Sequence, residues 1–233
     1  MTRKPVAGLF ITGADTDVGK TYIGGLIARA LAAAGHRVGV YKPAASGCRT
    51  DGDELVSDDA RVLWQAAGSP GELMRVCPQK FKARLAPHLA ARAEGRKIDA
   101  DLLRSGLDYW RERSDVVIVE GAGGLMSPIS DDEFVADLAY DFGSPLIVVA
   151  RNQIGVINQV LQTLIVASTF RRGLDVAGVV LNHPQPRTGD ASTETNRREL
   201  AQRAVPPILA EVSFGDQALP EVDWFRLAGG KGS

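Results

Sequence analysis

Residues 6–21 read Val6-Ala7-Gly8-Leu9-Phe10-Ile11-Thr12-Gly13-Ala14-Asp15-Thr16-Asp17-Val18-Gly19-Lys20-Thr21, and this stretch decides the fold of the 233-residue chain. An apolar run leads into the pattern A-x-x-x-x-G-K-T, the spacing of a Walker A loop with Ala14 in place of its first glycine. The backbone N–H groups of such a loop, aided by the positive end of the next helix, hold phosphate oxygens. Lys20 would add a cation at the terminal phosphates, and the Thr21 hydroxyl would be a ligand for Mg²⁺. The alternative is a strand-to-helix turn that binds nothing.

Short β-branched runs alternate with longer segments of helical period along the rest of the chain. This order predicts an α/β fold: a single P-loop NTPase-like domain over residues 1–233, with a mostly parallel sheet and helices on both of its faces. The predicted strands are 6–12, 37–42, 115–119, 146–150, 176–182 and 207–210. The predicted helices are 20–34, 58–67, 99–113, 135–141, 155–172 and 192–203. We expect loops and short helices over 68–98 and a frayed end over 228–233.

The charges of the chain nearly cancel, because 27 Lys and Arg stand against 28 Asp and Glu. A net charge of −1 argues against a nucleic-acid partner, which would require a basic surface. The apolar runs are far shorter than the roughly 20 residues that span a bilayer, and residues 1–11 do not resemble a secretory signal. We therefore expect no membrane partner and a cytoplasmic protein. Cys48, Cys77 and the three scattered histidines lack the spacing of a disulfide framework or a zinc site.

Charged residues follow two more of the predicted strands. The second strand leads into Tyr41-Lys42-Pro43-Ala44-Ala45-Ser46-Gly47, and the third ends in Val119-Glu120-Gly121-Ala122-Gly123-Gly124, which has the form of a Walker B element. Ligands of open α/β sheets bind at this edge, so Lys42 could hold a transferring phosphoryl group and Glu120 could bind Mg²⁺. The alternatives are a solvated lysine and a plain tight turn. A further oxygen ligand could come from Asp58 or Asp59, although either could simply cap a helix.

Together with Ala86-Pro87-His88, these motifs resemble the dethiobiotin synthetase family. The similarity continues through Gly155-Val156-Ile157-Asn158 and Val180-Leu181-Asn182, so it covers nearly the whole chain in order. The resemblance implies an ATP- and Mg²⁺-dependent cyclo-ligase of biotin biosynthesis. Such an enzyme converts 7,8-diaminononanoate and CO₂ to dethiobiotin through a carbamate and a carbamic-phosphoric anhydride.

The resemblance also implies roles for individual residues. The catalytic set would be Lys42, Lys20, Thr16 and Ser46, and the metal ligands would be Thr21, Asp59 and Glu120. Besides these metal ligands, the nucleotide would contact Asp15, Thr16, Asp17, Val18, Gly19, Lys20, Gly121, Ala122, Gly123, Asn182, His183, Ser213, Phe214 and Gly215. The family further implies a homodimer in which Gly155, Val156, Ile157 and Asn158 reach the substrate carboxylate in the partner's site. From the residues alone, that segment is an ordinary helix start.

Three positions depart from the commoner family pattern: Ala14, Asp17 and Gln153. Asp17 is one methylene shorter than the usual glutamate, and Gln153 removes a cation near the substrate carboxylate.

Three other functions compete with the family assignment. The first is a nucleotide-dependent switch of the partitioning or septum-placement type, but such proteins usually carry an extra lysine early in the phosphate loop, and this chain has none there. The second is a cobyrinate-type ligase, which would need an additional glutamine-hydrolysing domain. A third alternative is a catalytically inactive binding module, and the arguments against it are the intact Lys20, Thr21, Lys42 and Glu120.

Overall fold

Consecutive buried residues near the start of the chain form the middle of a six-stranded parallel sheet. The computed structural model describes residues 6–186 and 189–230. The sheet strands are β1 (Ala7–Gly13), β2 (Val38–Tyr41), β7 (Val116–Gly124), β8 (Leu146–Arg151), β9 (Val176–Asn182) and β10 (Ile208–Val212). Their spatial order is β10-β9-β8-β1-β7-β2. Since all of the strands run parallel, their carboxyl ends lie at one edge.

The helices between these strands are α1 (Lys20–Ala33), α2 (Asp58–Ala66), α3 (Leu73–Val76), α4 (Pro87–Ala93), α5 (Ala100–Arg111), α6 (Val135–Phe142), α7 (Val156–Thr169) and α8 (Asn196–Arg203), and α9 (Trp224–Leu227) follows the last strand. A 3₁₀ helix over Ala191–Glu194 precedes α8. Short strands form two small pairs outside the main sheet. These are β3 (Ala44–Ala45) with β6 (Gln79–Lys80), and β4 (Arg49–Asp51) with β5 (Glu54–Val56).

Both faces of the sheet are covered by helices. Val149 of β8 belongs to the large apolar cluster that includes Ile23 of α1. Its neighbour Val148 belongs to a second cluster, with Val160 of α7 and Leu200 of α8. Because successive side chains of a strand point to opposite faces, the two clusters lie on opposite sides of the sheet. The predicted α/β fold with a parallel sheet is therefore confirmed.

The predicted strands and helices all occur, most of them with ends shifted by one to three residues. The third strand differs most, since β7 continues through the glycines to Gly124. The helix predicted over 192–203 is divided into the 3₁₀ turn and α8. The four strands of the small pairs and α9 were not predicted, since elements of two to four residues show no periodic pattern.

The C-terminal end differs from the frayed segment predicted over 228–233. Ala228 is buried, and its carbonyl accepts a hydrogen bond from the Gly8 N–H at 2.9 Å. The N–H of Gly230 donates to the Phe225 carbonyl at 2.9 Å. These bonds hold residues 228–230 against the body of the domain. The prediction for 231–233 lies outside the described residues. In the part of the chain that is described, no helix combines the length and the apolar character needed to cross a bilayer.

Candidate active site at the carboxyl edge of the sheet

The phosphate-loop sequence forms the tight turn that its spacing predicts. β1 ends at Gly13 and α1 begins at Lys20, with Gly19 as a left-handed N-cap at φ 92°. A side chain at Gly19 would collide with the amide of Asn182, so both its conformation and its surroundings require glycine. No side chain caps α1, which leaves the first-turn N–H groups without a side-chain acceptor. This turn can accept an anion at a helix N-terminus.

Glu120 lies beside this loop because of strand register. β7 pairs with β1 so that Glu120 is opposite Ile11 and Gly124 is opposite Gly13. β2 borders β7 on its other side, and Lys42 directly follows β2. The Walker A loop, Lys42 and the Walker B carboxylate thus leave adjacent strands at the same edge.

Lys42 is at the centre of a buried charge cluster. Its Nζ lies 2.5 Å from Glu120 Oε1 and 2.8 Å from Asp59 Oδ2. The Thr21 hydroxyl donates to Glu120 Oε1 at 2.9 Å. Lys42 and Glu120 are almost inaccessible to solvent, whereas the Asp59 side chain is about half exposed. The alternative of a solvated lysine at a strand end is thereby excluded.

Asp58 and Asp59 point in different directions. Ser57 is the N-cap of α2, and its Oγ accepts from the Ala60 N–H at 3.2 Å, so neither aspartate caps the helix. Asp58 Oδ1 accepts instead from Arg49 Nε at 2.9 Å, on the outer surface. Asp59 is therefore the aspartate that reaches the cluster, as the family pattern implied.

The charges shift the protonation equilibria of both lysines. Burial alone would lower the pKa of Lys42, but Glu120 and Asp59 outweigh it and raise the pKa above its usual value. Burial lowers the pKa of Lys20, with Lys42 contributing in the same direction and Glu120 and Asp59 opposing it. Burial would raise the pKa of the Asp59 carboxyl, but the Lys42 charge and hydrogen bonds from Lys42 and Thr21 leave it below its ordinary value. Lys42 is consequently a firmly charged ammonium paired with the ionised Asp59 carboxylate.

The carboxylates and the hydroxyl of this cluster fit a magnesium ion. Glu120 Oε2 is buried without a hydrogen-bond partner in the described structure, so one carboxylate oxygen is still able to bind a cation. Thr21 and Asp59 supply further hard oxygen atoms next to it. No cluster of three or more His, Cys, Asp or Glu side chains is arranged for a metal among the residues that are described. Such a sparse set suits Mg²⁺, which keeps waters and phosphate oxygens as its other ligands.

A cleft of about 680 Å³ opens above the cluster. It collects all four predicted catalytic residues: Thr16, Lys20, Lys42 and Ser46. The three predicted metal ligands also line it, as do Asp17, Gly19, Ala122 and Gly123. The cleft therefore brings together side chains from four separate segments of the sequence.

Other predicted nucleotide residues lie outside the lining of this cleft. Asp15 accepts a hydrogen bond from Gln159 Nε2 at 3.0 Å, and Val18 is buried. Gly121 faces the apolar core, where a side chain would meet Val135 and Phe10. Asn182 contacts the phosphate loop, since its Nδ2 donates a hydrogen bond to the Val18 carbonyl at 2.9 Å. Its buried Oδ1 has no hydrogen-bond partner among the described groups.

His183 belongs to a separate buried cluster. Its Nε2 lies 2.8 Å from Glu211 Oε1, and Asn152 Nδ2 donates to the same oxygen at 3.0 Å. Asn196 Nδ2 donates to Asn152 Oδ1 at 2.8 Å. The side chain of His183 is therefore used within the protein and does not line the phosphate cleft. We refer to Asn152, His183, Asn196 and Glu211 as the amide cluster.

The segment Ser213-Phe214-Gly215 forms a turn after β10. The Ser213 N–H donates to Asp216 Oδ2 at 2.7 Å, and Phe214 is exposed. Tyr22 lines the cleft, and its hydroxyl donates a hydrogen bond to the Asp216 carbonyl. This contact fastens the turn to the first turn of α1, beside the phosphate loop.

Gly155, Val156, Ile157 and Asn158 form the start of α7. Gly155 is a left-handed N-cap at φ 93°, and both Gly155 and Asn158 are exposed. None of the four lines the phosphate cleft of their own chain.

Comparisons with known proteins identify the family of this chain. A family model described as an AAA domain matches residues 7–221. The ATP-dependent dethiobiotin synthetase BioD of Rhodopirellula baltica is 43% identical over 215 residues, covering 87% of this chain and 82% of the relative. The chain belongs to the dethiobiotin synthetase family. Relatives with the same description include those of Anaeromyxobacter dehalogenans, 42% identical over 84% of each chain, and Thermodesulfovibrio yellowstonii, 33% identical over 89% of each.

More distant solved structures share the fold alone. The signal recognition particle receptor FtsY of Elizabethkingia anophelis superposes with a TM-score of 0.52 at 17% identity. The alignment covers 98% of this chain and 65% of that FtsY chain. The septum site-determining protein MinD of Pyrococcus horikoshii gives a TM-score of 0.52 at 15% identity, over 89% of this chain and 81% of the other.

The cleft of this dethiobiotin synthetase family member contains residues that were not assigned a role from the sequence. They are Tyr22, Ala44, Ala45, Arg84, Leu85, Ala86, Pro87 and Ser127. Ala86 and Pro87 belong to a motif that pointed to the family, although no function was attached to it. Ser127 Oγ accepts from the Gly124 N–H at 2.9 Å, which holds the glycine turn after β7. Tyr22 and Ser127 lie beside the phosphate-loop and Walker B motifs in the sequence, so closeness to those motifs could have indicated them. Nothing local marks Arg84, because only the packing of residues 81–84 against the Ser46 loop brings it here.

Proposed function

We propose that this chain catalyses the ATP- and Mg²⁺-dependent conversion of 7,8-diaminononanoate and CO₂ to dethiobiotin. Family membership supports this activity. The single observation that carries it is the convergence of Lys20, Lys42, Thr16 and Ser46 in one cleft with the Glu120 and Asp59 carboxylates. The reaction joins an amine, CO₂ and a phosphoryl donor, so it depends mainly on positioning and on neutralising charge.

The first step forms a carbamate. An amine nitrogen of the substrate attacks CO₂, a C–N bond forms, and one proton leaves the nitrogen. The Thr16 and Ser46 hydroxyls, which both line the cleft, are suited to hydrogen-bond the carbamate oxygens. The permanent charge of Lys42 favours the anionic carbamate over the neutral carbamic acid.

The second step transfers the γ-phosphoryl group from ATP to a carbamate oxygen. Lys20, at the start of α1 and within the electrostatic reach of Lys42, can neutralise charge on the terminal phosphates. Thr21, Asp59 and Glu120 would hold Mg²⁺, which would screen the negative charge of the phosphate oxygens. The buried and unpartnered Oε2 of Glu120 supports that assignment.

The third step closes the ring. The second amine attacks the carbon of the carbamic-phosphoric anhydride, the C–O bond breaks, and phosphate leaves with its bonding electrons. A proton lost from the nitrogen completes the cyclic urea. The same ammonium groups that favoured phosphoryl transfer also stabilise the departing phosphate.

The remaining assignments extend this proposal. Two features are suited to contact the nucleotide base: the 213–215 turn, and Asn182, whose Oδ1 near the phosphate loop has no hydrogen-bond partner in the described part of the chain. The exposed start of α7, Gly155 to Asn158, would bind the substrate carboxylate in the site of a second copy, which makes the protein a homodimer. A cytoplasmic location fits a biosynthetic enzyme whose cysteines are both free thiols.

The test measures ATP consumption by the purified protein with and without diaminononanoate and bicarbonate, together with product mass. The expected result is phosphate release that depends on the diamine and matches cyclic urea formed one to one. ATP hydrolysis that is indifferent to the diamine, with no urea, would reject the proposal and favour a nucleotide switch.

A further inference from the structure

Arg84 contributes a third cation to the cleft lining, in addition to Lys20 and Lys42. It lies between β6 and α4, in a segment that backbone hydrogen bonds fasten to the Ser46 loop. The Gly47 N–H donates to the Ala83 carbonyl at 3.0 Å, and the Cys48 N–H donates to the Phe81 carbonyl at 2.9 Å. The backbone of Arg84 is therefore held in a defined position beside Ser46.

The side chain of Arg84 extends from that position to the phosphate loop. A Cβ at Gly47 would lie 3.5 Å from Arg84 Cγ, so the stem of the arginine passes over this glycine. The guanidinium Nη2 lies 3.0 Å from Asp17 Oδ2. Asp17 directly follows Thr16, so Arg84 connects the loops that carry Thr16 and Ser46, the two hydroxyls assigned to the carbamate.

The bond between Arg84 and Asp17 is easily exchanged. The two side chains are 83% and 74% exposed. Exposed ion pairs of this kind contribute little to stability, because water and salt screen them and both side chains lose freedom. By contrast, Lys42 is enclosed by two carboxylates and nearly inaccessible. Arg84 is thus the cleft cation that can move to another anion at little cost.

A guanidinium is also the side chain best suited to such an exchange. Its planar N–H groups match two oxygens of a phosphate or carboxylate at once, which an ammonium cannot do. When the nucleotide and the carbamate occupy the cleft, their combined negative charge exceeds that of the single Asp17 carboxylate.

We infer that Arg84 is a substrate-binding residue that leaves Asp17 to bind the anionic oxygens where the carbamate and the terminal phosphate meet. This inference rests on the proposed function and adds a residue to it. Carbamate and phosphate oxygens share the chemistry that a guanidinium recognises, so the experiment has one arm for each.

The first arm measures binding of Mg²⁺ and adenylyl imidodiphosphate by calorimetry, without the diamine, for wild type and Arg84→Met. The second arm measures kcat/KM for the diamine at saturating MgATP and bicarbonate. A loss of about 10- to 100-fold in the first arm, the value of charge-assisted hydrogen bonds, identifies phosphate as the anion. The same loss in the second arm alone identifies the carbamate. Arg84→Lys should recover part of the loss, because it restores charge without the planar fork.

The matched control is Arg92→Met. Arg92 on α4 forms another exposed pair, 2.6 Å from Asp131, and does not line the cleft. We expect it to stay within about twofold of wild type in both arms, as for a surface pair. If Arg84→Met also stays within twofold in both, the inference is overturned.

A second comparison separates substrate binding from a role confined to the ion pair. Arg84→Met is repeated in an Asp17→Asn background, where the pair is already lost. Substrate binding by Arg84 requires the same 10- to 100-fold loss in that background. If the methionine has no effect there, Arg84 acts only through Asp17 and the inference fails. Wild-type protein that forms no urea would instead reject the proposed function, and the binding arm would still test Arg84.

Discussion

Two buried polar clusters lie at the same edge of the sheet. They differ in whether their buried side-chain atoms all have hydrogen-bond partners among the described residues. The charge cluster of Lys42, Asp59, Glu120 and Thr21 opens into the large cleft and retains a buried carboxylate oxygen without a hydrogen-bond partner among the described residues. In the amide cluster, the buried side-chain atoms of the described residues all have hydrogen-bond partners. Its neighbouring cavity is much smaller, about 150 Å³. Unmet bonding capacity beside open space therefore distinguishes a site for ligands from a site that holds the chain together.

The largest effect is expected for Lys42→Met in the charge cluster. Turnover should fall by about 100-fold or more, since a cation aimed at the reacting oxygens is lost. The free energy of unfolding should fall by about 3–5 kcal/mol, because Glu120 is left buried without its counter-charge. Steady-state kinetics and denaturant unfolding measure the two losses. The control adds Glu120→Gln to Lys42→Met, which should recover stability but not turnover. If Lys42→Met alone lowered nucleotide affinity in parallel with turnover, the role of Lys42 in the phosphoryl step would be contradicted.

Glu120→Gln should have the next largest effect. The half-saturating Mg²⁺ concentration should rise about tenfold or more, because an ionised ligand is replaced by a neutral amide. The free energy of unfolding should fall by only about 1–3 kcal/mol, since Lys42 keeps Asp59 as a partner. A Mg²⁺ titration of activity and a melting curve provide the measurements. An unchanged titration combined with a much larger loss of stability would make Glu120 a structural residue.

Asn196→Ala tests the amide cluster. Removing this side chain leaves Asn152 Oδ1 without its 2.8 Å donor, and an unpaired buried acceptor costs about 1–3 kcal/mol. Turnover per folded molecule should be unchanged at a temperature where the variant is folded. Denaturant unfolding and kinetics on the same preparation show whether the two clusters are separable. A large fall in turnover would mean that the amide cluster also serves the reaction.

The smallest effect concerns the pH dependence of Asp59. Its pKa is lowered in the folded protein, so its contribution to stability is complete above about pH 4 and is lost as pH falls through the lowered pKa. Since the pair with Lys42 is half exposed on the Asp59 side, solvent screening should keep that contribution below about 1 kcal/mol. The difference in unfolding free energy between wild type and Asp59→Asn should be constant from pH 7 to 5 and shrink below pH 4. A difference that grows on acidification would show that Asp59 is not an ionised partner of Lys42.

Strand register alone accounts for part of the arrangement of the candidate site. Lys42 directly follows β2, Glu120 lies in β7, and the loop that leads to Lys20 follows β1. Parallel pairing of these adjacent strands brings the three positions to one edge. Strand register does not decide which way the side chain of a residue at the strand end points. His183 follows a strand too, yet its side chain faces Glu211 and Asn152, on the face opposite to that of Asn182.

The amino-acid sequence by itself determined the order of strands and helices, the phosphate loop and the family, because these depend on local periodicity and on motifs of fixed spacing. Only the tertiary structure decided that Asp59 and not Asp58 meets Lys42, and that Arg84 crosses from the Ser46 loop to Asp17. It also decided which polar atoms stay unpaired. The physical reason is that Asp58 and Asp59 have the same side-chain chemistry but point in different directions. Their partners come from other segments of the sequence, which meet only when the helices and loops pack on the sheet.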